Sequence, residues 1–180
     1  MLRRRHRKDD LRSEALYSPC GTWRYRLTRR WGAGRLVTFI LLNPSTATER
    51  ADDPTLARCV SRARALEAGG VCVVNLFALR ATDPRALRQH PDPIGPKTDG
   101  VLLRAARQAG MLICGWGNHG ALRGRDAQVR SMLQAIGVPL FHLGLTANGQ
   151  PRHPLYVRLE TAPILWHDSS ENCSQRHENF

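Results

Sequence analysis

The sequence lacks the long apolar segments of a membrane or exported protein. No apolar run approaches the roughly 18 residues that are needed to span a bilayer. The basic start, residues 1–8, is not followed by the apolar core of about 7–15 residues that a signal peptide carries. We therefore expect a cytoplasmic protein without a membrane partner.

Closely spaced cysteines are also lacking, which argues against the common metal centres. The five cysteines stand far apart, at Cys20, Cys59, Cys72, Cys114 and Cys173. They form no C-x-x-C pair, whereas zinc ribbons and iron–sulfur sites need closely spaced thiolates. Cys114 and the histidines His119, His142 and His153 have no recognised ligand spacing either. We expect reduced thiols, no metal and no cofactor.

Lysine is almost absent, although the chain is strongly basic. Only Lys8 and Lys97 are lysines among the 27 Lys and Arg residues, and 15 acidic residues leave a formal net charge of +12. Such a charge favours polyanionic partners, nucleic acid first, because each neutralised phosphate releases a condensed counterion. A codon-composition bias toward arginine would give the same count, and the sequence leaves both explanations open.

Length and charge distribution suggest one domain with two charged ends. The 180 residues fit a single domain, since domains usually have roughly 100–200 residues. Residues 1–30 hold ten basic and three acidic side chains, whereas 160–180 hold one basic and four acidic ones. We therefore divide the chain into a basic arm (1–14), a single α/β domain (15–165) and an acidic tail (166–180). The sequence does not tell whether the ends are ordered, nor the oligomeric state.

Predicted strands and helices alternate along the domain. The continuous apolar run 36–42 is typical of a central strand covered on both faces. The other predicted strands are 22–27, 71–74, 111–114 and 139–143. Asp53 followed by Pro54 predicts a capped helix start, and further helices are predicted after Pro84, over 98–109 and over 126–136. The alternation predicts a three-layer α/β/α fold with a mainly parallel central sheet.

Polar segments follow the four predicted central strands. They are Asn43-Pro44-Ser45-Thr46, Asn75-Leu76-Phe77, Gly115-Trp116-Gly117-Asn118-His119 and 144–154, which includes Arg152 and His153. None of them carries a carboxylate. Because ligands gather at the carboxyl ends of parallel strands, we predict a polar pocket with little negative charge of its own.

Each of these residues also has a purely structural interpretation. Asn43 and Asn75 would satisfy backbone groups of neighbouring turns. Trp116 would pack in the core, and His153 would lie on the surface. The convergence of four polar segments at one sheet edge favours a site over these separate explanations.

Longer motifs are spread over about residues 20–160. They are Leu42-Asn-Pro-Ser-Thr-Ala47, Asp52-Asp-Pro-Thr55, Asn75-Leu-Phe-Ala-Leu-Arg-Ala-Thr-Asp-Pro84, Pro93-Ile-Gly-Pro96, Trp116-Gly117 and Pro151-Arg-His-Pro-Leu155. On these motifs the chain is identified as a member of an uncharacterised bacterial family, the domain of unknown function numbered 1643. That family implies no activity.

The order of four motifs is similar to that of the uracil-DNA glycosylase superfamily. Asn43-Pro44 resembles the loop that positions the attacking water there, and Val74-Asn75 resembles the segment whose Asn reads the pyrimidine edge. Trp116-Gly117 and His153-Pro154 follow in the same order. The resemblance implies a glycosylase-like fold and DNA rather than RNA as the partner. It also implies that Asn43 holds the water, Asn75 reads the base and His153 stabilises charge on the leaving base.

These residue types suit the cleavage of an N-glycosidic bond. The cleavage leaves an oxocarbenium-like sugar and an anionic base, and an imidazole that donates to a base oxygen acts like an oxyanion hole. An Asn side chain offers a donor and an acceptor that complement the O4 and N3–H groups of uracil or thymine. Arginine contacts to phosphates would offset the cost of flipping the base out of a duplex.

We therefore predict a nucleobase- or nucleotide-recognising enzyme that hydrolyses an N-glycosidic bond in DNA or in a modified nucleotide. Asn43 and His153 are its predicted catalytic residues. The predicted substrate-binding residues are Pro44, Ser45, Thr46, Asn75, Phe77, Trp116 and Arg152.

Two alternatives stay open, because the chain departs from the glycosylase pattern. No aromatic residue stands between Asn43 and Asn75, and Leu155 replaces the serine that follows His-Pro in the glycosylases. In one alternative, the enzyme acts on free nucleotides, and Asp52 or Asp53 is its general base unless both cap the following helix. In the other, the chain is a non-catalytic nucleic-acid-binding module whose arginines carry the affinity.

Overall fold

The computed structural model describes residues 1–167, which form a mixed α/β structure around one eight-stranded sheet. The strands are β1 (Leu2–Lys8), β2 (Leu11–Tyr17), β3 (Arg24–Arg30), β4 (Leu36–Leu41), β5 (Gly70–Asn75), β6 (Met111–Cys114), β7 (Leu140–His142) and β8 (Ile164–Leu165). Their order across the sheet is β1-β2-β3-β5-β4-β6-β7-β8. All but the first two residues of the predicted acidic tail, 166–180, lie outside the described residues.

Four α-helices connect these strands: α1 (Pro54–Ala65), α2 (Arg85–Gln89), α3 (Thr98–Arg107) and α4 (Arg125–Gln134). Helix α1 starts as its sequence predicts, because the Asp53 carboxylate accepts a hydrogen bond from the Leu56 amide at 2.8 Å and Pro54 occupies the first turn. Two short 3₁₀ segments, Asn118–Gly124 and Pro154–Tyr156, lie near the carboxyl ends of the central strands. Within residues 1–167, no helix is long and apolar enough to cross a membrane.

The prediction of a mainly parallel sheet is wrong. Parallel pairing is confined to the four central strands, β5-β4-β6-β7. The four remaining pairings, β1–β2, β2–β3, β3–β5 and β7–β8, are antiparallel. The difference arises because the first 30 residues add a three-strand antiparallel extension to one side of the parallel centre.

Most of the predicted basic arm is part of that extension. Residues Leu2–Lys8 form the edge strand β1, whose side chains are almost all exposed. The predicted boundary between residues 14 and 15 lies inside β2, which pairs with β1 and β3. An edge strand rich in arginine is protected from pairing with other chains, since charged side chains block edge-to-edge association.

Apolar residues pack on both faces of the central strand β4, as its continuous apolar run predicts. Phe39 packs in one cluster with residues of α1, and its neighbour Ile40 packs in another with residues of α3 and α4. Successive side chains of a strand point to opposite faces, so the two clusters lie on opposite sides of the sheet. The core thereby fixes the strand ends that form the site.

Buried arginines hold the connections in place. Arg29 donates two hydrogen bonds to the Asp52 carboxylate, at 2.7 and 3.0 Å, and Arg125 pairs with Asp99. Arg62 donates instead to three backbone carbonyls, those of Arg158, Leu159 and Thr161, at 2.6–2.9 Å. Guanidinium groups in this protein therefore serve as structural crosslinks as well as surface charges.

The strand order creates a crevice at the carboxyl end of β4. From β4 the chain passes through α1 to β5 on one side, and it later reaches β6 on the other side of β4. Loops that leave neighbouring parallel strands in opposite directions open a gap at that edge, where ligands of α/β proteins bind.

Candidate ligand pocket

A cavity of about 610 Å³ lies at this crevice, a volume typical of small-molecule sites. All four central strands contribute to it. The residues that follow or end them there are Asn43 and Ser45 (β4), Asn75 (β5), Trp116 to His119 (β6), and Thr146, Arg152 and His153 (β7). The structure thus brings together the polar strand ends that the sequence predicts would meet.

Asn75 is the most unusual polar residue of the cavity. It is the last residue of β5, is only 2% exposed, and lies opposite Leu41 of β4. Neither its amide nitrogen Nδ2 nor its oxygen Oδ1 has a hydrogen-bond partner within the described residues. Because buried amides almost always have a partner, the unpaired amide of Asn75 is an exception that sets it apart from the other polar residues of the cavity.

Asn43 is held in one orientation by the loop around it. Its Nδ2 donates to the carbonyl of Pro44 at 3.0 Å and to the carbonyl of Ala81 at 2.7 Å. These two bonds use both amide hydrogens, so Oδ1 is the atom that is left to accept a hydrogen bond in the cavity. This orientation suits an acceptor for a water molecule.

His153 lines the cavity as a half-buried imidazole. Its Nδ1 accepts a hydrogen bond from the Leu155 amide at 3.4 Å, which places the proton of the neutral ring on Nε2. Burial lowers the pKa of His153, although the nearby Asp53 carboxylate opposes this shift. The ring is therefore neutral at pH 7 and presents an N–H donor.

The two predicted general bases differ in position. Asp53 lines the cavity, but one of its oxygens caps α1 and the other accepts from the Ala47 amide at 3.2 Å. Asp52 is not part of the cavity wall, because Arg29 holds its carboxylate. The prediction that these aspartates cap the following helix is thus confirmed for Asp53. It is wrong for Asp52, which pairs with an arginine instead.

Trp116 forms part of the cavity wall as a packed side chain. It is 1% exposed, and its Nε1 donates to the Gln150 side chain at 2.7 Å. The Gln150 amide in turn donates to Asp126 at 2.5 Å, and the Trp116 ring contacts the ring of Trp166. This network fixes the indole, so it supports the wall rather than moving to stack on a ligand.

Not every predicted binding residue reaches the cavity. Ser45 and Arg152 line it, whereas Pro44, Thr46 and Phe77 do not. Phe77 is fully buried in the core, and Pro44 supplies a carbonyl to the Asn43 side chain. Thr46 is exposed on the outside of its loop.

Arg24, the first residue of β3, is a cavity residue that the sequence analysis missed. It is 3% exposed, and its Nη1 donates to the Ala47 carbonyl. Burial lowers the pKa of Arg24 to about 10, so the group stays charged at neutral pH. The alternating pattern of 22–27 assigns Arg24 to a polar face, and only the loop that packs over this face buries it.

A model of the family described as "Protein of unknown function (DUF1643)" matches residues 24–155. The chain belongs to this family. The matched region includes every central strand and each of Asn43, Asn75, Trp116 and His153, so the identification from the motifs is confirmed. Comparison with curated proteins and with solved structures gives no match.

No candidate metal centre accompanies the cavity. Within residues 1–167, no group of three or more His, Cys, Asp or Glu side chains is placed to hold a metal ion. The cysteines of the same region are free thiols, and burial raises the pKa of Cys59, Cys72 and Cys114.

Proposed function

We propose that this protein is a nucleobase- or nucleotide-recognising enzyme that hydrolyses an N-glycosidic bond. The observation that carries the proposal is Asn75, whose buried amide lines the cavity without a hydrogen-bond partner in the described part of the chain. An Asn side chain presents a donor and an acceptor side by side. It therefore complements the adjacent O4 and N3–H groups of uracil or thymine.

Leaving such an amide unpaired lowers stability, so a ligand that pairs it gains affinity. A buried polar group without a partner costs about 1–3 kcal/mol. A base that supplies both bonds recovers this free energy, whereas a base with the wrong edge does not. The pocket is thereby selective for one hydrogen-bonding pattern.

The hydrolysis follows from the other two polar residues. Water attacks the sugar carbon C1′, the bond between C1′ and the base nitrogen breaks, and the electron pair of that bond leaves with the base. Asn43 accepts a hydrogen bond from the attacking water through Oδ1, and the water proton finally neutralises the base. His153 donates its Nε2–H to a base oxygen and stabilises the developing anion.

The proposal extends to the arrangement of the strands and helices in layers. We propose that the four parallel strands and the helices on their two faces form a three-layer unit like that of uracil-DNA glycosylases. The order β5-β4-β6-β7 and the separate apolar clusters with α1 and with α3 and α4 support it.

A hydrolysis assay tests the proposal. Purified protein is incubated with single-stranded DNA that contains one deoxyuridine, and with free deoxyuridine and its 5′-monophosphate, and released uracil is measured. We expect the parent protein to release uracil. Asn43→Ala should abolish this release while changing the affinity for the ligand by no more than a few fold. Asn75→Ala should abolish both release and ligand binding. Asn148→Ala, an exposed asparagine outside the cavity, is the matched control. Equal release by the Asn43→Ala and Asn148→Ala variants would contradict the assigned role.

A second candidate function, nucleic-acid binding without catalysis, is favoured by an arginine-rich groove of about 810 Å³ on β1–β3. Arg7, Arg12 and Arg30 lie opposite one another across the three strands. Like charges placed in this way repel each other, and an anion between them would remove the repulsion. Phosphate groups of a nucleic acid are anions of this kind.

Glu14, the acidic residue of the groove lining, does not neutralise this row. Glu14 contacts Arg3, Arg5 and Arg26 at 3.6, 3.0 and 2.6 Å. Although burial raises the pKa of Glu14, hydrogen bonds from Arg5 and Arg26 outweigh that effect and lower it, so the group stays ionised and committed to them. Arg7 and Arg30 donate to nearby backbone carbonyls, so Glu14 leaves the net charge of the row for an outside partner.

Salt titration of DNA binding tests this second candidate. Replacing Arg7, Arg12 and Arg30 together by glutamine should reduce the slope of log K against log salt by roughly 2–3, since each phosphate contact contributes about 0.7–0.9. Three exposed arginines elsewhere, Arg85, Arg88 and Arg107, provide the matched triple control. An equal loss in both triple variants would show that only the net charge matters.

A further inference from the structure

Arg24 is a buried cation that faces the cavity without a carboxylate partner. Only its Nη1 is engaged, by the Ala47 carbonyl. Its Nε is buried without a partner, and within residues 1–167 no group accepts a hydrogen bond from Nη2. One edge of the guanidinium, the Nε–Nη2 edge, is therefore unused.

The other buried arginines show how this protein normally compensates such a charge. Arg29 and Arg125 each pair with an aspartate, and Arg62 donates to three backbone carbonyls. None of these three lines the cavity. The Asp53 carboxylate attracts Arg24 without a hydrogen bond between them. Burying a cation without a hydrogen-bonded counterion is unfavourable, so the exception at Arg24 indicates a partner that comes from outside the chain.

Arg24 and Asn75 are placed so that one ligand can contact both. They lie on the neighbouring strands β3 and β5, which pair through Leu27 and Val73, and both line the same cavity at the same end of the sheet. Asp53 is the one acidic residue of the cavity lining, and two backbone amides already bind its carboxylate.

We propose that Arg24 binds a phosphate group of the ligand, so that the pocket takes a nucleoside monophosphate in preference to a neutral nucleoside. The two N–H groups of the free guanidinium edge match two phosphate oxygens, which is the bidentate geometry that arginine favours. The choice of a nucleotide rests on the proposed base recognition by Asn75, whereas phosphate binding by Arg24 stands on its own. A terminal phosphate monoester fits this buried position, because a phosphodiester needs room for the strand to continue on both sides.

Calorimetric titration of the full chain with uridine, uridine 5′-monophosphate and the dinucleotide UpU tests the nucleotide preference. We expect the monophosphate to bind at least about tenfold more tightly than uridine, as one charge-assisted bidentate contact provides. Arg24→Gln should remove this preference and leave uridine affinity within about threefold of the parent value. Binding of UpU as tight as the monophosphate would identify a phosphodiester in a polynucleotide as the source of the phosphate.

Inorganic phosphate separates the two proposals. At constant ionic strength, phosphate should raise the melting temperature of the parent protein and of the exposed-arginine control Arg107→Gln, but not that of Arg24→Gln. If this holds while uridine fails to bind, phosphate recognition stands and base recognition by Asn75 is wrong. Arg24→Lys, which keeps a cation but loses the two-donor edge, gives the same comparison if Arg24→Gln does not fold. No stabilisation of the parent by phosphate, equal stabilisation of the Arg24 variants, or equal affinity for uridine and its monophosphate would overturn the inference.

Discussion

Replacing Asn75 by leucine tests whether its buried amide serves a ligand or the fold. Leucine has nearly the same branched shape, so the change removes the polar atoms with little change in volume. The parent amide lacks partners in the described structure, and such a group costs about 1–3 kcal/mol. We therefore expect Asn75→Leu to raise the free energy of unfolding of the ligand-free protein by about 1–3 kcal/mol and to abolish base binding.

Urea denaturation followed by tryptophan fluorescence measures this change, because the chain has four tryptophans. The midpoint should rise while the m value stays constant, since the surface exposed on unfolding is unchanged. In a thermal melt the same gain corresponds to roughly 2–12 °C for a chain of this size. Asn148→Leu, at an exposed position, should change little. A loss of about 1 kcal/mol or more in Asn75→Leu would show that the amide supports the fold rather than a ligand.

Three further predictions follow from the described contacts. Arg62→Met should lower the free energy of unfolding by about 1–3 kcal/mol, because it removes the hydrogen bonds that hold three carbonyls of the partly exposed 158–161 segment; chemical denaturation measures the loss. Burial lowers the pKa of His142 and of His153 below the usual 6.5, so the unfolded chain binds more protons than the folded one near and below that pH. The free energy of unfolding should therefore fall as the pH drops below 6.5, and thermal melts from pH 8 to 5 measure this fall. Hydrogen bonds between Cys20 and the residues Ser18 and Thr22 lower the pKa of this exposed thiol to about 7, so iodoacetamide at pH 7.5 should alkylate it well before the buried thiols; mass spectrometry measures the rates.

Each of these predictions has its own control. For Arg62, the exposed Arg107→Met should be neutral, and equal stability of both variants would contradict the crosslinking role. The double variant with glutamine at His142 and His153 should lose most of the acid sensitivity between pH 6.5 and 5. If the double variant keeps this acid sensitivity, other titratable groups cause the loss of stability. Alkylation of Cys59 or Cys114 in the native protein as fast as that of Cys20 would contradict the burial of these thiols.

Local patterns predicted the centre of the fold, because the interactions that form it are written in short stretches of sequence. The apolar run 36–42 became β4, covered on both faces, and Asp53-Pro54 became the start of α1. Strand β3 of the antiparallel extension was predicted in part, over 22–27, whereas β1 and β2 were missed, since the exposed side chains of β1 carry no apolar alternation. Its pairing depends on backbone hydrogen bonds to β2, and these leave no trace in composition.

The sequence likewise predicted only part of the candidate site. Asn43, Asn75 and His153 meet because residues that follow parallel strands share one sheet edge, which the order of elements already implies. Phe77 also follows β5, yet it points into the core, and Arg24 is buried by a loop that is distant in sequence. The direction of a single side chain depends on tertiary packing, so the sequence alone could not separate these two cases.

A crystal of the protein soaked with uracil, thymine and their nucleosides shows directly whether Asn75 binds a base. We expect the base in the cavity, with its O4 and N3–H groups within hydrogen-bond distance of the Asn75 side chain and its O2 near Nε2 of His153. A base bound elsewhere, or a cavity that stays empty at saturating ligand, would contradict base recognition by Asn75.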